Sequence, residues 1–424
     1  MLDIKLIRDN SELVKKNLKR RGDKEVISRL DELIKKDKKW RDLIKQVDKL
    51  KHERNVVSRE IANLKKSGKD AKKEMKRAGE IPRKLKSLEE ERLALENTCR
   101  DLLLRIPNML HESVPCGKDD SDNKVVRKKG KVPKIKNPKD HMQIAQELGL
   151  VDRDRGNKVA GHGFLYLKGK LAILDLALQR YAIDFLMKRG FNLVEPPFMI
   201  RKKIAAGATD LSDFGDVLYK IDGEDLYPIA TSEHPLVGMF AGETLLEKDL
   251  PVKLVGVSPC FRKEVGTHGK YTKGLFRMHQ FNKVEEFVFC KPEQSWQIHE
   301  ELQKITEELL DSLGLCYRVV NVCTGDIGII AAKKYDVEFW MADGEYRELS
   351  SNSNATGYQA RRLGIKYKEK DGSVAKGFVH TVNNTAVATS RIMVAILEQF
   401  QQDGSVIIPK VLHKYCGFKE IKKK

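Results

Sequence analysis

The segment Val252 to Phe289 contains side chains suited to chemistry on a charged substrate. Two runs rich in β-branched and aromatic residues flank a middle rich in Gly, Lys and His, which predicts two antiparallel strands and a long connecting loop. Side chains alternate between the two faces of a strand. An unbroken second strand therefore places four functional side chains on one face: Arg277, His279, Phe281 and Glu285. On the first strand, Arg262 and Glu264 share a face.

The residue types of this predicted hairpin complement one another chemically. Fixed guanidinium groups bind phosphates through paired donors, an aromatic ring stacks on a base, and a carboxylate holds an ammonium or a hydroxyl group. The connecting loop, with His268, Lys270 and Lys273, would form a mobile basic flap over such a site. The alternative is an amphipathic hairpin whose charges face water, and the hairpin pattern alone favours that alternative.

Later stretches add further candidate groups. Asp336 to Ser351 predicts two strands joined by a turn, and Glu348 and Ser351 could hold a hard divalent cation through oxygen atoms. Arg391 follows small polar residues and begins an apolar helix, which suits either a nucleotide phosphate or a structural ion pair. Asn352 to Arg362 is polar and then basic, and by itself predicts a surface loop.

Length and composition indicate a globular protein of two or three domains. The chain has 424 residues, of which 41% are hydrophobic and 33% charged, so it can bury a sizeable core. No stretch approaches the roughly 20 apolar residues that cross a bilayer, and MLDIKLIRDN lacks the apolar core of a secretory signal. We therefore expect a cytoplasmic protein. The seven cysteines form no CxxC pair, which argues against both a disulfide framework and a zinc module.

The net charge of +19 is concentrated in the N-terminal third of the chain. Residues 1–140 contain 41 Lys and Arg against 25 Asp and Glu, whereas the remainder contains 39 against 36. Such an asymmetry suggests a polyanionic partner, and nucleic acid fits because neutralised phosphates release counterions. A solvated, lysine-rich helical surface is an equally good interpretation of the charge alone.

Two long apolar stripes in this basic region predict a helical hairpin. Spacings of three and four residues, broken only by Lys36 and Arg54, link the members of the first stripe: Leu33, Trp40, Leu43, Val47, Leu50, Val57, Ile61 and Leu64. The second stripe, interrupted by Arg92, contains Ala78, Ile81, Leu85, Leu88, Leu95, Cys99, Leu102 and Ile106. One turn at Ser67-Gly68 separates them, as in an antiparallel coiled coil about 45–50 Å long. Such an arm could bind RNA or DNA, or pair with a partner helix.

The rest of the chain predicts alternating helices and strands. Asp9 to Glu12 has capping-box spacing and predicts a short helix, whereas Pro82 predicts a kink or a later start in the second long helix. Pro107 to Lys139 is interpreted as a connector or an edge segment. Further predicted elements are helices over 141–148, 171–188 and 294–312 and strands over 191–194 and 317–322.

Taken in order, these motifs resemble the seryl-tRNA synthetase family of class II aminoacyl-tRNA synthetases, in its archaeal and eukaryotic branch. The resemblance runs from end to end: MLDIKLIRDN, the helical arm, IPNMLHESVP, the Thr231-Ser232-Glu233 element, the CFRKE and GLFRMHQFNKVE strands, GEYRELSS with QARR, and the Arg391 segment. Several long motifs in register are far more specific than any single one. Pro197 in EPP fits the motif that builds the homodimer interface in the family.

The resemblance implies an α+β fold. Its core is an antiparallel β-sheet flanked by helices, preceded by an N-terminal antiparallel two-helix coiled-coil arm. The arm would be a tRNA-binding region over residues 1–110, and residues 111–424 would form the catalytic domain, with 111–140 as the connector. The implied enzyme is a serine–tRNA ligase that uses ATP and Mg²⁺, forms seryl-adenylate and pyrophosphate, and transfers serine to the 3′ end of tRNA-Ser. The selenocysteine tRNA is an additional candidate substrate.

Matching positions imply the site residues. Arg262 and Arg391 would be catalytic and, with the other positions of the ATP-binding set, would contact the nucleotide: Lys263, Glu264, Met278, Phe281, Glu348, Leu349, Ser350 and Ser351. Glu348 and Ser351 would also hold the metal ion. The serine-binding set would be Thr231, Ser232, Glu233, Glu285 and Thr385. A buried carboxylate at Glu285 would reject alanine, because alanine leaves the carboxylate unpaired.

A few positions depart from the family pattern, and two other functions remain possible. Asn352 and Ala355 stand where relatives have cysteines, and Gly357, where an acidic residue is common, is expected to loosen the loop that supports the metal site. A ligase that loads a carrier protein should lack the basic arm. A non-catalytic RNA-binding scaffold should have lost groups such as Arg262 or Glu285, and both are present.

Overall fold

The computed structural model describes residues 1–210, 215–264 and 274–423. They form two compact units, Met1–Pro107 and Asn108–Lys424. The residues of the predicted flap, His268, Lys270 and Lys273, lie outside the described ranges. Among the residues within those ranges, no helix combines the length and apolar character needed to cross a membrane.

The first unit is built on a pair of long helices. Its helices are α1 (Ile4–Asp9), α2 (Ser11–Lys19), α3 (Lys24–Lys66) and α4 (Lys72–Arg105). The helices α3 and α4 pack along each other through buried residues that include Val47, Val57, Ile81 and Leu85. The predicted two-helix arm is therefore confirmed. At 1.5 Å per residue, the 34 residues of α4 span about 51 Å, close to the predicted hairpin length, whereas the 43 residues of α3 span about 65 Å.

Three details of this unit differ from the sequence prediction. The helix α3 begins before the apolar stripe does, because its first turns bury Val26 and Leu30 and α2 packs against it. The predicted short helix is α2, but it begins after Asn10 without the predicted side-chain cap, and the unpredicted helix α1 precedes it. Pro82 lies inside α4 rather than at its start, since the neighbouring Ile81 is buried in the hairpin and helps to hold the helix around the proline.

The second unit combines a large sheet with short helices. Its helices are α5 (His141–Glu147), α6 (Arg153–Ala160), α7 (Lys170–Met187), α8 (Lys202–Ala208), α9 (Glu233–Gly238), α10 (Ser295–Ser312), α11 (Tyr358–Leu363), α12 (Thr389–Gln399) and α13 (His413–Cys416). Its longer strands are β1 (Lys124–Lys129), β8 (Val252–Phe261), β9 (Gln280–Cys290), β10 (Tyr317–Asn321), β11 (Lys333–Trp340), β12 (Tyr346–Thr356) and β15 (His380–Ala388).

Shorter strands complete the unit. They are β2 (Val151–Asp152), β3 (Tyr166–Leu167), β4 (Asn192–Val194), β5 (Met199–Ile200), β6 (Tyr227–Pro228), β7 (Thr244–Leu246), β13 (Lys366–Lys368), β14 (Gly377–Phe378), β16 (Gln401–Gln402), β17 (Ser405–Ile407) and β18 (Glu420–Lys422). The main sheet has eight strands in the order β1, β10, β11, β12, β15, β9, β8, β4. All neighbours in it are antiparallel except β4 and β8.

Most predicted elements of this unit are confirmed within one or two residues, including α5, α7, α10, β4 and β10. The segment predicted as a connector contributes the edge strand β1. The prediction of a surface loop over Asn352 to Arg362 is wrong. There β12 continues to Thr356 and α11 follows, because the polar side chains are bonded inside the protein: the Asn352 amide donates to the carbonyl oxygen of His299 at 2.9 Å.

Candidate active site

The site is built around the antiparallel pair β8 and β9. The two strands are shorter than predicted, since Arg262 and Glu264 follow β8 and Arg277 precedes β9. The pairing still continues past the strand end, where the Arg262 amide donates to the carbonyl oxygen of His279 at 2.9 Å. Beyond it the backbone of Glu264 has φ +50°, and the Arg277 guanidinium donates to the Glu264 carboxylate. The Arg277–Glu264 ion pair holds both charged groups beside the strand ends.

One cavity at this end of the sheet gathers most of the predicted nucleotide-binding groups. Eight predicted site residues line it: Arg262, Glu264, Met278, Phe281, Glu348, Leu349, Thr385 and Arg391. They come from distant parts of the sequence, at the ends of β8 and β9, on β12 and β15 and at the start of α12. The cavity is also lined by Phe276, Arg277 and Lys283, which the prediction assigned to neither substrate.

The two predicted catalytic arginines are held by short-range contacts. The Arg262 Nε donates to the carbonyl oxygen of Ala230 at 3.2 Å, and its guanidinium carbon lies 5.3 Å from the centre of the Phe281 ring. The Arg391 Nη1 lies 3.0 Å from the Glu348 Oε1 and donates to the Glu348 carbonyl oxygen at 2.9 Å. Arginines fixed in this way can bind phosphate oxygens with little loss of side-chain entropy.

A bulge in β12 brings the predicted metal ligands to one face. Three residues apart on a regular strand, Glu348 and Ser351 would point in opposite directions. Asp336 pairs with Ser351 and Glu338 pairs with Glu348, so that Leu349 is an extra residue in the ladder. Because Asp336 and Glu338 share a face of β11, their partners Glu348 and Ser351 also share one.

The oxygen donors on this face fit a divalent cation bound together with a phosphate. Ser351 is hydrogen-bonded to Asp336, and the Asp336 Oδ1 is buried with no hydrogen-bond partner among the described residues. Mg²⁺ prefers such hard oxygen ligands, and it is usually completed by substrate phosphates and water. Within residues 1–210, 215–264 and 274–423, no group of three or more His, Cys, Asp or Glu forms a complete metal site.

A second cluster lies beside the first and contains the predicted serine-binding groups. Glu285 is 1% exposed and stands opposite Gly256 on one neighbouring strand and Thr385 on the other, with Thr385 hydrogen-bonded to it. A Cβ on Gly256 would lie 2.7 Å from the Leu236 Cδ1, so a side chain at this position would displace Leu236 of α9. The Lys283 Nζ lies 2.6 Å from the Glu285 Oε2 and donates to the Thr231 Oγ1 at 3.0 Å.

Glu233 is half-buried at the edge of this cluster. The Gln359 amide donates to its Oε1 at 2.7 Å and also to the carbonyl oxygen of Ala208 at 2.9 Å. Loss of hydration raises the pKa of Glu233 to about 7, and the negative charge of Glu285 adds to the rise. The cations Lys283 and Arg262 act in the opposite direction.

The side chains of three predicted residues point elsewhere. The Ser232 hydroxyl donates to the carbonyl oxygen of Gly256 at 3.5 Å, and the Lys263 Nζ lies 6.0 Å from the centre of the Tyr219 ring. Ser350 is buried on the face of β12 opposite to Ser351. The backbone amide and carbonyl groups of these three residues are therefore the candidates for binding serine or ATP.

The sequence prediction missed Lys283 and Gln359, which contact the predicted serine-binding carboxylates Glu285 and Glu233. Lys283 lies between Phe281 and Glu285 in the alternation of β9, so period two already placed it on the same face. Gln359 belongs to the stretch that was interpreted as a surface loop, and nothing in the local pattern indicates that it contacts Glu233.

The departures from the family pattern are accommodated by packing. Asn352 bonds to the backbone of α10, and Ala355 is fully buried. Gly357 does not loosen the chain as expected: a Cβ there would lie 2.1 Å from the Arg361 Nη1, so the glycine gives the arginine room.

An antiparallel sheet with these charged groups at the ends of β8, β9 and β15 defines a class II aminoacyl-tRNA synthetase core, and the model of the tRNA synthetase class II core domain (G, H, P, S and T) matches residues 218–400. The seryl-tRNA synthetase N-terminal domain matches residues 1–110. The chain belongs to the seryl-tRNA synthetase family, because the serine–tRNA ligase of Methanoregula boonei is 51% identical over 99% of this chain and 100% of that relative.

Solved structures agree with this relationship. The seryl-tRNA synthetase from Pyrococcus horikoshii complexed with ATP has a TM-score of 0.96 and 48% identity, and the match covers 100% of both chains. The cytoplasmic serine–tRNA ligase of Naegleria fowleri in complex with AMP has a TM-score of 0.91 and 35% identity, covering 100% of this chain and 99% of that one. The predicted family, fold class and enzyme class are confirmed.

The raised pKa of Glu233 predicts a pH-dependent stability difference. Its folded value of about 7 exceeds the ordinary value of 4.5, so the folded protein binds the extra proton and loses stability as pH rises from 4.5 to 7. Glu233→Gln removes this loss. We expect the difference in melting temperature, variant minus unchanged protein, to be larger at pH 8 than at pH 5. The change should correspond to about 1 kcal/mol in the free energy of unfolding, because water screens the half-buried group.

Differential scanning calorimetry without substrates measures this difference. The exposed Glu224 provides the control, since Glu224→Gln should shift the melting temperature equally at both pH values. A Glu233→Gln difference that is independent of pH would contradict the assignment.

Proposed function

We propose that this chain activates L-serine with ATP in the cavity between β9, β12 and β15 and transfers the seryl group to the 3′ end of tRNA-Ser. The main observation behind the proposal is that the predicted nucleotide-binding cavity adjoins the predicted serine-binding cluster around Glu285. The phosphate-binding arginines Arg262 and Arg391 line the same cavity as Lys283 and Thr385, which contact the buried carboxylate of Glu285. The proposed setting is the cytoplasm, and the selenocysteine tRNA is a further candidate substrate.

In the proposed reaction, a carboxylate oxygen of serine attacks the α-phosphorus of ATP. The new bond gives seryl-adenylate, and the bond to the β-phosphate oxygen breaks to release pyrophosphate. Negative charge accumulates on phosphate oxygens along this path, and Arg262 and Arg391 are fixed in advance to neutralise it. Phe281 supplies an aromatic surface for the adenine beside them. The chain needs no covalent intermediate of its own.

A bound Mg²⁺ ion would add Lewis acid chemistry at the phosphates. Glu348 and Ser351 are the residues that would hold it, and Asp336 would orient Ser351. In the structure the Glu348 carboxylate contacts the charged Arg391, so the two groups are already placed for a site that combines a cation with phosphate oxygens.

The second cluster is proposed to select serine. The carboxylate of Glu285 would accept a hydrogen bond from the serine hydroxyl, with Thr231 and Thr385 as neighbours and Glu233 near the ammonium group. Alanine is nearly the same size, but it would leave this buried carboxylate without its substrate partner. Such an unpaired group costs far more than the absence of a methyl group, so a hydrogen-bonding pocket discriminates strongly.

The first unit is proposed to bind tRNA-Ser. Residues 1–110 contain 32 Lys and Arg against 20 Asp and Glu, and exposed lysines continue to both ends of the turn that joins α3 to α4. A rod of this length can follow a helical RNA backbone by shape and charge, without reading bases. This mode suits a tRNA that is recognised away from its anticodon.

Pyrophosphate exchange separates the two parts of the proposal. We expect ATP–pyrophosphate exchange that is stimulated by serine alone among the amino acids. The arm variant replaces four exposed lysines by alanine: Lys65, Lys66, Lys72 and Lys73. It should keep the exchange rate and charge tRNA-Ser less efficiently. The slope of its tRNA affinity against salt concentration, on logarithmic scales, should be shallower by about 0.7–0.9 for each phosphate that the variant no longer neutralises.

Serine activation and tRNA binding by the arm can be contradicted separately. No serine-stimulated exchange in the unchanged chain would remove the proposed chemistry and favour a non-catalytic RNA-binding scaffold. Unchanged tRNA charging and salt dependence in the arm variant would remove these four lysines from the proposed RNA surface.

We further propose that two copies of the chain associate through the side of the sheet that ends at β4. An apolar patch is exposed there on α7, β4 and β5: Ile173, Leu176, Met187, Leu193 and Met199. Leu176 is 65% exposed, and Ile173 lies three residues earlier on the same face of α7. Exposed apolar residues on one surface are typical of an interaction site. Pro197 of the predicted interface motif lies in the same region of the sequence.

Sedimentation equilibrium tests the dimer. We expect twice the chain mass of 48.4 kDa for the unchanged protein, and dissociation for Leu176→Asp because an interface would have to bury the new charge. Leu93 provides a matched control, since it is 55% exposed on α4, and Leu93→Asp should leave the mass unchanged. A monomer in the unchanged protein would contradict the proposal.

A further inference from the structure

We infer that Lys283 is a positioning residue for amino acid selection: its ammonium group joins Thr231 to Glu285 and keeps the Glu285 carboxylate ionised for the substrate. The inference rests on the proposed function, because it names a determinant of substrate choice in the same site.

The geometry places this lysine at the centre of the serine cluster. Its side chain is 9% exposed, and its Nζ lies 2.6 Å from the Glu285 Oε2 and 3.0 Å from the Thr231 Oγ1. On β9 it pairs with Ser258 of one neighbouring strand and with Ala388 of the other. Both small neighbours leave the long side chain room to reach along the sheet face towards Glu285.

The contacts of Lys283 distinguish its ion pair with Glu285 from an ion pair that serves only the fold. It contacts two residues that are predicted to hold serine, and it also lines the cavity with Arg262. A buried ion pair is a poor source of stability, since desolvation offsets most of the attraction. An ion pair at this place therefore has its main consequence for the charge and orientation of Glu285.

The charged groups around Glu285 show what Lys283 contributes. Loss of hydration raises the pKa of Glu285, and Lys283, Thr385 and Arg262 oppose the rise. Glu233 from α9 and Glu286 from the other face of β9 are the nearby carboxyl groups, and Cys260 of β8 is the neighbouring thiol. Lys283 is in direct contact with the Glu285 carboxylate, so its removal should raise the pKa of Glu285 further and favour the protonated form.

A protonated Glu285 would be a poorer site for serine. It would present a donor as well as an acceptor to the serine hydroxyl, so the hydroxyl would no longer meet a group that only accepts. A carboxylate held by Lys283 and Thr385, by contrast, has a fixed orientation and accepts hydrogen bonds only. We therefore expect Lys283 to affect serine affinity and the pH dependence of activation more than it affects ATP binding.

The test compares Lys283→Met with the unchanged chain in ATP–pyrophosphate exchange between pH 6 and pH 9. We expect the KM for serine to rise by about tenfold or more at pH 7, which is the size expected when a hydrogen bond to a charged group is removed. The KM for ATP should change by less than about twofold. In the variant, kcat/KM for serine should increase with pH over the range where Glu285 ionises.

Two further variants separate charge from packing. Lys283→Arg keeps the positive charge, so it should retain the pH profile of the unchanged chain even if its KM for serine is higher. Lys333 is the matched control, because it is also buried, at 8% exposed, and its Nζ lies 2.8 Å from the Glu300 Oε1 outside the site. Lys333→Met should leave both KM values and the pH profile unchanged.

The possible outcomes are distinct. If the unchanged chain shows no serine-stimulated exchange, the proposed function fails and this inference fails with it. If the unchanged chain is active and Lys283→Met has the same KM for serine and the same pH profile, only the inference fails. Should Lys283→Met be unfolded by circular dichroism, Lys283→Gln takes its place with the same expected results, and an unaltered serine KM or pH profile there overturns the inference.

Discussion

Ion pairs between side chains on the cavity face of the eight-stranded sheet are the interactions on which the site depends. Several cations on this face lie against anions: Lys283 with Glu285, Arg391 with Glu348, Arg277 with Glu264 and Lys334 with Asp336. A buried charge without a partner would cost several kcal/mol, whereas these pairs keep charges of both signs where water is scarce. The substrates of this family carry phosphate, carboxylate and ammonium groups, so a face of paired charges offers each of them a partner of opposite sign.

The backbone makes this pairing possible. Glu285 is bordered by Gly256 and Thr385 in adjacent strands, and the glycine leaves room for the side chains of Ser232 and Leu236, which follow Thr231 in the chain. The bulge at Leu349 turns Glu348 to the face of Ser351, next to the arginine at the start of α12. A single glycine and a single bulged residue in the antiparallel sheet thus determine which site side chains contact one another, although neither changes the order of the strands.

Sequence patterns predicted the elements but not all of their contacts. The helical arm follows from apolar residues at helical spacing, and alternation along β9 placed Phe281 and Glu285 on one face. The same alternation would place Glu348 and Ser351 on opposite faces. A bulge in β12 brings them to one face, and the sequence contains no clear signal for that bulge. Asn352 and Gln359 were misread for a different reason: isolated polar residues look exposed, and only tertiary structure supplies their buried partners. Family resemblance provided the residue roles, and the structure supplied Lys283, which links them.

Selection of serine by the buried Glu285 carboxylate can be measured as the ratio of kcat/KM for serine to kcat/KM for alanine in pyrophosphate exchange. The neighbouring Glu286 is an internal control, since it is also buried but faces the opposite side of β9 and accepts from the Asn384 amide at 3.1 Å. We predict that Glu285→Gln lowers the ratio by about a hundredfold or more, whereas Glu286→Gln leaves it unchanged. An undiminished preference for serine in Glu285→Gln would contradict the account.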